Sequence, residues 1–415
     1  VKKCMQRIIV ICNELPYPPI HGGRLDAWNQ IAALTERNIK ICLICWYASD
    51  SDLPNESTRS AIKESVDELV LLPISKGPRW WIKRLFLLTN YPWFVSAMLQ
   101  KNTLIKSLID KLRLFNPDLI FLVSIYGSDL ATKLSHKLKI PLVVRSQNIE
   151  HQYQQILASQ AITTREKMKL RLAQIGLERY ELMVLSSCDW YFDISLEDLA
   201  YWKGRGLIKG EWLPTFINIK NLPDQADLTP SWDVVYLGNL NSPNNVQGVI
   251  WFCKQVVPML RQSQPGLRIL VAGSNPTFEV EEVCTKSGVV LLPNPASASK
   301  VYRSGRVLVN IAPKGSGVST KSIEMLLVGV PVVTTPQGIR GLPDNIKQYF
   351  YTASTVEEFT EKVIDALARK PEDNKDETPL AILDHFFGDE AVSCFEARLL
   401  NIVNGHNPSS IIERR

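Results

Sequence analysis

Short, unbroken apolar runs alternate along the chain with stretches in which apolar residues recur every three or four positions. "RIIVIC", "KICLICWY", "ELVLLPI", "DLIFLVS", "PLVVRS" and "DWYFDIS" read as buried strands. Helical spacing fills the intervals at Asp26 to Arg37, Thr103 to Phe115 and Ser128 to Leu138, and as one long helix from Thr164 to Leu185. A polar, turn-rich stretch, "NLPDQADLTPSWD", interrupts the series and reads as a linker. The pattern then restarts with the strands "DVVYLGNL", "LRILVAG", "VVLLP", "RVLVNIAP" and "PVVTT", with a helix near Val246 to Arg261. Such alternation implies parallel strands joined by right-handed helical crossovers. The expected fold is α/β, with two Rossmann-like doubly wound domains facing a cleft. Residues 1–213 would form the first and 214–385 the second, while 386–415 form a C-terminal helix that packs back on the N-terminal domain.

Composition narrows the function classes. The chain has 415 residues, 45% hydrophobic and 21% charged, and a net charge of +5 that is scattered rather than gathered into a tract. Nucleic acid is therefore not the expected partner. The eight cysteines sit mostly inside apolar runs, which suits buried thiols and a cytoplasmic location better than a disulfide framework. Cys42 and Cys45 form a C-x-x-C, but inside a strand and without a second pair or a histidine cluster, so no metal is expected. The start carries lysines and a short apolar run without a cleavage site, and no run is long enough to span a bilayer.

The chemistry concentrates in "LVNIAPKGSGVSTKSIEMLLVGVPVVTT", Leu308 to Thr335, where a strand breaks into a glycine–serine loop and restarts as a helix. Backbone N–H groups and a helix start are a site for an anion, most often phosphate. A P-loop reading misses its pattern by one residue, because Thr320 stands where the second glycine belongs. A dinucleotide reading lacks the third glycine and the first-strand position. Lys321 and Glu324 lie three apart and project to one side of the helix. A lysine there can neutralise a diphosphate, and a glutamate can accept hydrogen bonds from ribose hydroxyls.

These residues, with "PPIHGG" after the first strand, "RSQNIEHQYQ" before the long middle helix and "YLGNLNSPNNVQGVIWF" opening the second domain, resemble the GT-B glycosyltransferases, particularly family 4. The resemblance implies a sugar transferred from a nucleotide-diphosphate sugar to a carbohydrate, lipid-linked or small-molecule acceptor. It also implies retention of anomeric configuration without a metal, and no cofactor, the nucleotide sugar being a substrate. Lys321, Asn148 and His151 are then the catalytic candidates. Gly22, Gly23, Gly238, Asn239, Ser316, Gly317, Val318, Ser319, Lys321, Glu324 and Arg340 would surround the donor. The alternatives are a nucleotide-sugar epimerase on the same fold and a non-catalytic sugar-nucleotide-binding protein.

The chain departs from the family pattern in three places. Ser316 replaces the first of two glutamates, the basic pair after the first strand of the second domain is absent, and Gln147 stands where relatives place a histidine. Asp50-Ser51-Asp52 is a D-x-D in a polar loop, read as solvated rather than metal-binding. Residues 78–94, "PRWWIKRLFLLTNYPWF", mix basic and aromatic side chains in a way that suits peripheral contact with the inner face of a membrane.

Overall fold

The computed structural model describes residues 5–161, 163–217, 230–313, 317–369 and 380–405. They form two compact units, Val1–Ile217 with His385–Arg415, and Asn218–Asp384. The first is built on a parallel sheet of β1 (Arg7–Cys12), β2 (Lys40–Tyr47), β3 (Glu68–Pro73), β4 (Leu119–Val123), β5 (Leu142–Ser146), β6 (Trp190–Asp193) and β7 (Gly210–Trp212). The order is β3-β2-β1-β4-β5-β6-β7. Alternate residues of β2 show why its sequence is apolar throughout. Ile41, Leu43 and Cys45 enter the core on one face and Cys42, Ile44 and Trp46 the core on the other. A strand buried on both faces has no polar side to show.

The second unit carries β8 (Trp232–Asn239), β9 (Ile269–Ser274), β10 (Val290–Pro293), β11 (Gly305–Asn310), β12 (Val332–Thr334) and β13 (Tyr351–Thr352). Its order is β10-β9-β8-β11-β12-β13. In each sheet the winding reverses beside the first strand, between β1 and β4 and between β8 and β11. Ligands of doubly wound folds bind at the carboxyl ends of strands flanking such a reversal.

Three sequence expectations need correction. The single helix expected over Thr164 to Leu185 is two, Thr164–Gln174 and Leu177–Ser187, because Gly176 turns the chain with a left-handed φ of 69°. The helix expected near Val246 to Arg261 runs without a gap over residues 243–263 but is not α throughout: a π turn occupies Phe252–Val256, where Pro258 withholds a backbone donor. The first helix begins earlier than expected, at Gly22, with the His21 ring accepting from the Arg24 N–H. The linker at 221–233 lies mostly outside the described residues.

The C-terminal segment has two helices, Leu380–Phe387 and Asp389–Val403. The second completes the first unit: Phe395 packs its ring 5.5 Å from Phe121, 5.4 Å from Phe192 and 5.6 Å from Phe216. Arg398 pairs with Glu211 of β7 in the same region. Among the described residues no helix is long and apolar enough to cross a membrane. The helix Pro78–Leu87 nevertheless exposes Trp81, Ile82, Leu85 and Phe86. Lys76, Arg79 and Lys83 are exposed beside them.

Candidate functional site

At the β8–β11 reversal the second unit gathers its polar side chains. Lys321, in the first turn of the helix Thr320–Leu326, extends its Nζ toward β8, where it donates to the Tyr236 hydroxyl (3.2 Å) and to Asn245 Oδ1 (3.1 Å). The ammonium also lies 4.7 Å from the centroid of the Tyr236 ring. Asn245 is fixed in turn, its Nδ2 donating to the carbonyl of Asn239 at 2.9 Å. Gly238 keeps this space open, for a Cβ there would stand 2.6 Å from the Tyr236 hydroxyl. Burial lowers the Lys321 pKa to about 8, although the charge of Glu324 acts in the opposite direction. Burial raises that of Glu324, against a hydrogen bond from Tyr302 and the charge of Lys321.

The loop before this helix is anchored from beneath. Asn310, at the end of β11, donates to Ser319 Oγ (3.0 Å) and Ser322 Oγ (2.6 Å), and Ser322 donates to the Gly338 carbonyl (2.5 Å). A Cβ on Gly338 would come within 2.0 Å of Thr334 Oγ1, so only glycine fits. Gly317 is left-handed, with φ of 70°, and its carbonyl accepts from Arg340 Nη1 at 3.4 Å. Val318 lies between Gly317 and Ser319, while Ser316 falls outside the described residues. The helix that follows has seven residues. So short a helix offers little dipole, and the positive charge of the site rests on side chains.

The first unit holds the other candidates at the ends of β1, β4 and β5. A cavity of about 230 Å³ opens there, lined by Gly23, Tyr126, Gln147, Asn148 and Glu150 among others. Gln147 Nε2 donates to the Gly23 carbonyl (3.0 Å) and to Asp26 Oδ2 (3.0 Å). Asp26 is the buried partner of Arg145, at 3.0 Å from Nε and 2.8 Å from Nη2. Gln147 thus ties the Gly22-Gly23 turn to a buried ion pair. A Cβ on Gly23 would meet only ordinary contacts, the nearest at 3.5 Å. Packing within the unit does not demand glycine there.

His151 sits one residue beyond the cavity wall and is buried. Both ring nitrogens have protein partners, Nδ1 with Glu181 Oε2 and Nε2 with the Tyr201 hydroxyl, each at 2.8 Å. Glu181 also accepts the backbone N–H groups of Glu150 (2.8 Å) and His151 (3.3 Å). The imidazole therefore fastens a helix start. The D-x-D forms a 3₁₀ turn in which Asp52 Oδ2 accepts from the N–H groups of Ala48 and Ser49. Among the described residues no group of three or more His, Cys, Asp or Glu is placed to hold a metal ion. Cys42 and Cys45 are free and buried within β2.

Sequence reasoning did not single out Tyr236, Asn245 or Tyr302. Tyr236 inside an apolar strand carries no signal that separates it from core residues, Tyr302 sits in a short helix, "ASKVYR", without a motif, and Asn245 is one of several polar residues in "NSPNN".

Two doubly wound sheets in one chain, each reversing its winding beside its first strand, are the layout of the GT-B fold. Residues 232–369 match the family model of glycosyl transferases group 1. A Klebsiella pneumoniae protein described as an uncharacterized 44.6 kDa protein in the cps region is 23% identical over 390 residues, 87% of this chain and 90% of that one. The Anabaena protein HepE, solved with UDP and glucose, has a similar structure, with a TM-score of 0.64 at 13% identity over 95% of this chain and 99% of that one. Sucrose-phosphate synthase from Thermosynechococcus elongatus aligns with a TM-score of 0.62 at 15% identity, covering 95% and 98%. The chain has the GT-B fold, and its second unit matches glycosyl transferases group 1.

Proposed function

We propose that the protein moves a sugar from a nucleoside-diphosphate sugar to an acceptor hydroxyl, with retention and without a metal. The observation that carries this reading is the Lys321–Tyr236–Asn245 cluster at the β8–β11 reversal, beside Glu324 and Tyr302. Lys321 would meet the diphosphate as charge grows on the leaving oxygen, and Glu324 would take the ribose hydroxyls. Gly238, Asn239 and the loop Gly317 to Ser319 would bring backbone close to the donor, with Arg340 behind the loop. In the first unit Gly22, Gly23 and Asn148 would contact substrate, and His151 would hold their segment in place. The HepE structures with UDP, glucose and UDP-glucose support a nucleotide-sugar donor.

Incubation with a panel of nucleotide sugars, without acceptor and with excess EDTA, tests the reading. A transferase slowly hydrolyses one donor of the panel, with a rate unchanged by the chelator. Epimerised sugar would instead support the epimerase, no change of any donor a binding protein, and activity abolished by EDTA and restored by manganese would remove the metal-free mechanism.

The acceptor side has a second element in this proposal, contact with an anionic membrane surface through the helix Pro78–Leu87. Its exposed Trp81 and Phe86 would enter the interface while Lys76, Arg79 and Lys83 meet acidic headgroups. Co-sedimentation with phosphatidylglycerol vesicles should be lost in Trp81→Ser with Phe86→Ser; equal sedimentation of parent and variant would exclude this helix.

A further inference from the structure

The cavity of the first unit contains polar groups that its own fold leaves unused. Ser124 Oγ and Gln154 Oε1 are buried without a hydrogen-bond partner, in residues that are 5% and 6% exposed, and both residues line the cavity. Ser124 also holds a φ of 68°, a left-handed backbone costly for a residue with a side chain. Buried polar atoms without partners cost free energy comparable to a lost hydrogen bond, which a ligand hydroxyl would recover. Glu150 lines the same cavity. Its Oε2 accepts from the Tyr126 hydroxyl at 2.7 Å, and Gln154 Nε2 donates to that same hydroxyl at 3.3 Å.

Charge and size indicate what fits. Across the cavity Glu14 is paired with Arg24 and with His21 Nε2 (3.1 Å), so its charge is already answered. Among the described residues no cation is bonded to the Glu150 carboxylate, whose partners are the Tyr126 hydroxyl and Asn148. Such a wall repels a carboxylated or phosphorylated group and favours hydroxyls, which both donate and accept. The volume is at the small end for a ligand site, suited to a single ring rather than an extended chain.

We infer that the ionised Glu150 carboxylate accepts a hydrogen bond from a hydroxyl of the acceptor, and that this cavity takes an uncharged, polyhydroxylated sugar ring with Ser124 and Gln154 as further partners. This rests on the glycosyltransferase reading. Binding then requires Glu150 to be deprotonated. Burial raises its pKa to about 7; the Tyr126 hydrogen bond acts downward, the Glu181 charge upward and the Asn148 hydrogen bond downward. The other titratable groups lining the cavity are Glu14, His21 and Arg24, Tyr126, Tyr153 on its own helix and Cys12 at the end of β1, with His151 next along that helix. None supplies a cation bonded to the carboxylate, so affinity should rise with pH through neutrality.

Titration of the full chain with a panel of methyl hexopyranosides between pH 5.5 and 8.5, with UDP binding measured in parallel, tests the inference. At least one glycoside should bind, more tightly as pH rises through about 7. Glu150→Gln should weaken it by about tenfold or more, the loss expected for a charged hydrogen bond, and remove the pH step. Tyr126→Phe, which removes a partner of the ionised form, should move the step to higher pH. No bound glycoside, an unchanged affinity in Glu150→Gln, or a pH step that survives in that variant would each overturn the proposal. UDP binding separates the two readings: intact UDP binding with failed glycoside binding defeats this inference alone, whereas absent UDP binding defeats the donor site.

Discussion

Lys321→Ala should lower kcat by at least about a hundredfold while weakening donor binding much less. The leaving diphosphate gains negative charge as the glycosidic bond breaks, so a fixed cation contributes more in the transition state than in the ground state. Elsewhere in the second unit that charge has little cover. The helix start is too short for a strong dipole, and the segment after β8 that opens this unit, "GNLNSPNNVQG", contains no basic residue. Tyr236 and Asn245 hold the ammonium in place, so removing it leaves two neutral dipoles facing the phosphate. Lys321→Arg should restore only part of the rate, because the planar guanidinium cannot occupy a pocket built around a compact ammonium on the Tyr236 ring. Steady-state kinetics with the working donor decide the matter. A turnover within threefold of the parent would assign the diphosphate to another residue, with Arg340 the next to replace.

The same lysine gives the donor site a pH limit. With a pKa near 8, roughly nine-tenths of the free protein carries the Lys321 charge at pH 7 and roughly one-tenth at pH 9. Burial disfavours the charged form, and a bound diphosphate would favour it again, so binding takes up a proton above pH 8. In the same experiment, affinity for the nucleoside diphosphate should fall by up to about tenfold per unit above pH 8 in the parent and change little in Lys321→Ala.

The strands were legible because most are apolar on both faces, which leaves unbroken runs that no surface helix would show. The edge strands Gly210–Trp212 and Tyr351–Thr352 were not, since three and two residues are too few for a pattern. Lys321 and Glu324 stood out as the two charges of a short helix that follows a glycine–serine loop. Their partners did not: Tyr236 comes from a strand 85 residues earlier, and only the β8–β11 adjacency brings the two together. Gln147 was visible as an unusual residue at its position, but its role depends on Gly23 and Asp26, 124 and 121 residues away. His151 shows the opposite limit. A histidine in a suggestive motif drew attention, and nothing local in the sequence revealed that Glu181 and Tyr201 occupy both of its nitrogens.

Asp26→Ala should destabilise the first unit by about 3–5 kcal/mol, the cost of leaving one partner of a buried ion pair behind. Arg145 is 0% exposed and Asp26 likewise, so no solvent can reach the guanidinium once its carboxylate is gone. The carbonyls of Leu213 and Pro214 remain as acceptors for Arg145, but dipoles do not neutralise its charge. Asp26 also accepts from Gln30 and Gln147, so the substitution releases the side chain that holds the Gly23 carbonyl. Arg145→Met with Asp26→Leu should be far milder than Asp26→Ala, because an apolar pair removes both charges at once. Two units need not unfold together, and a single transition would misstate the effect. Hydrogen exchange resolves it: protection of the β5 amides should fall sharply in Asp26→Ala, that of β8 and β11 should hold, and the double variant should recover most of the loss. Protection in β5 within about 1 kcal/mol of the parent would mean that the pair does not anchor this sheet.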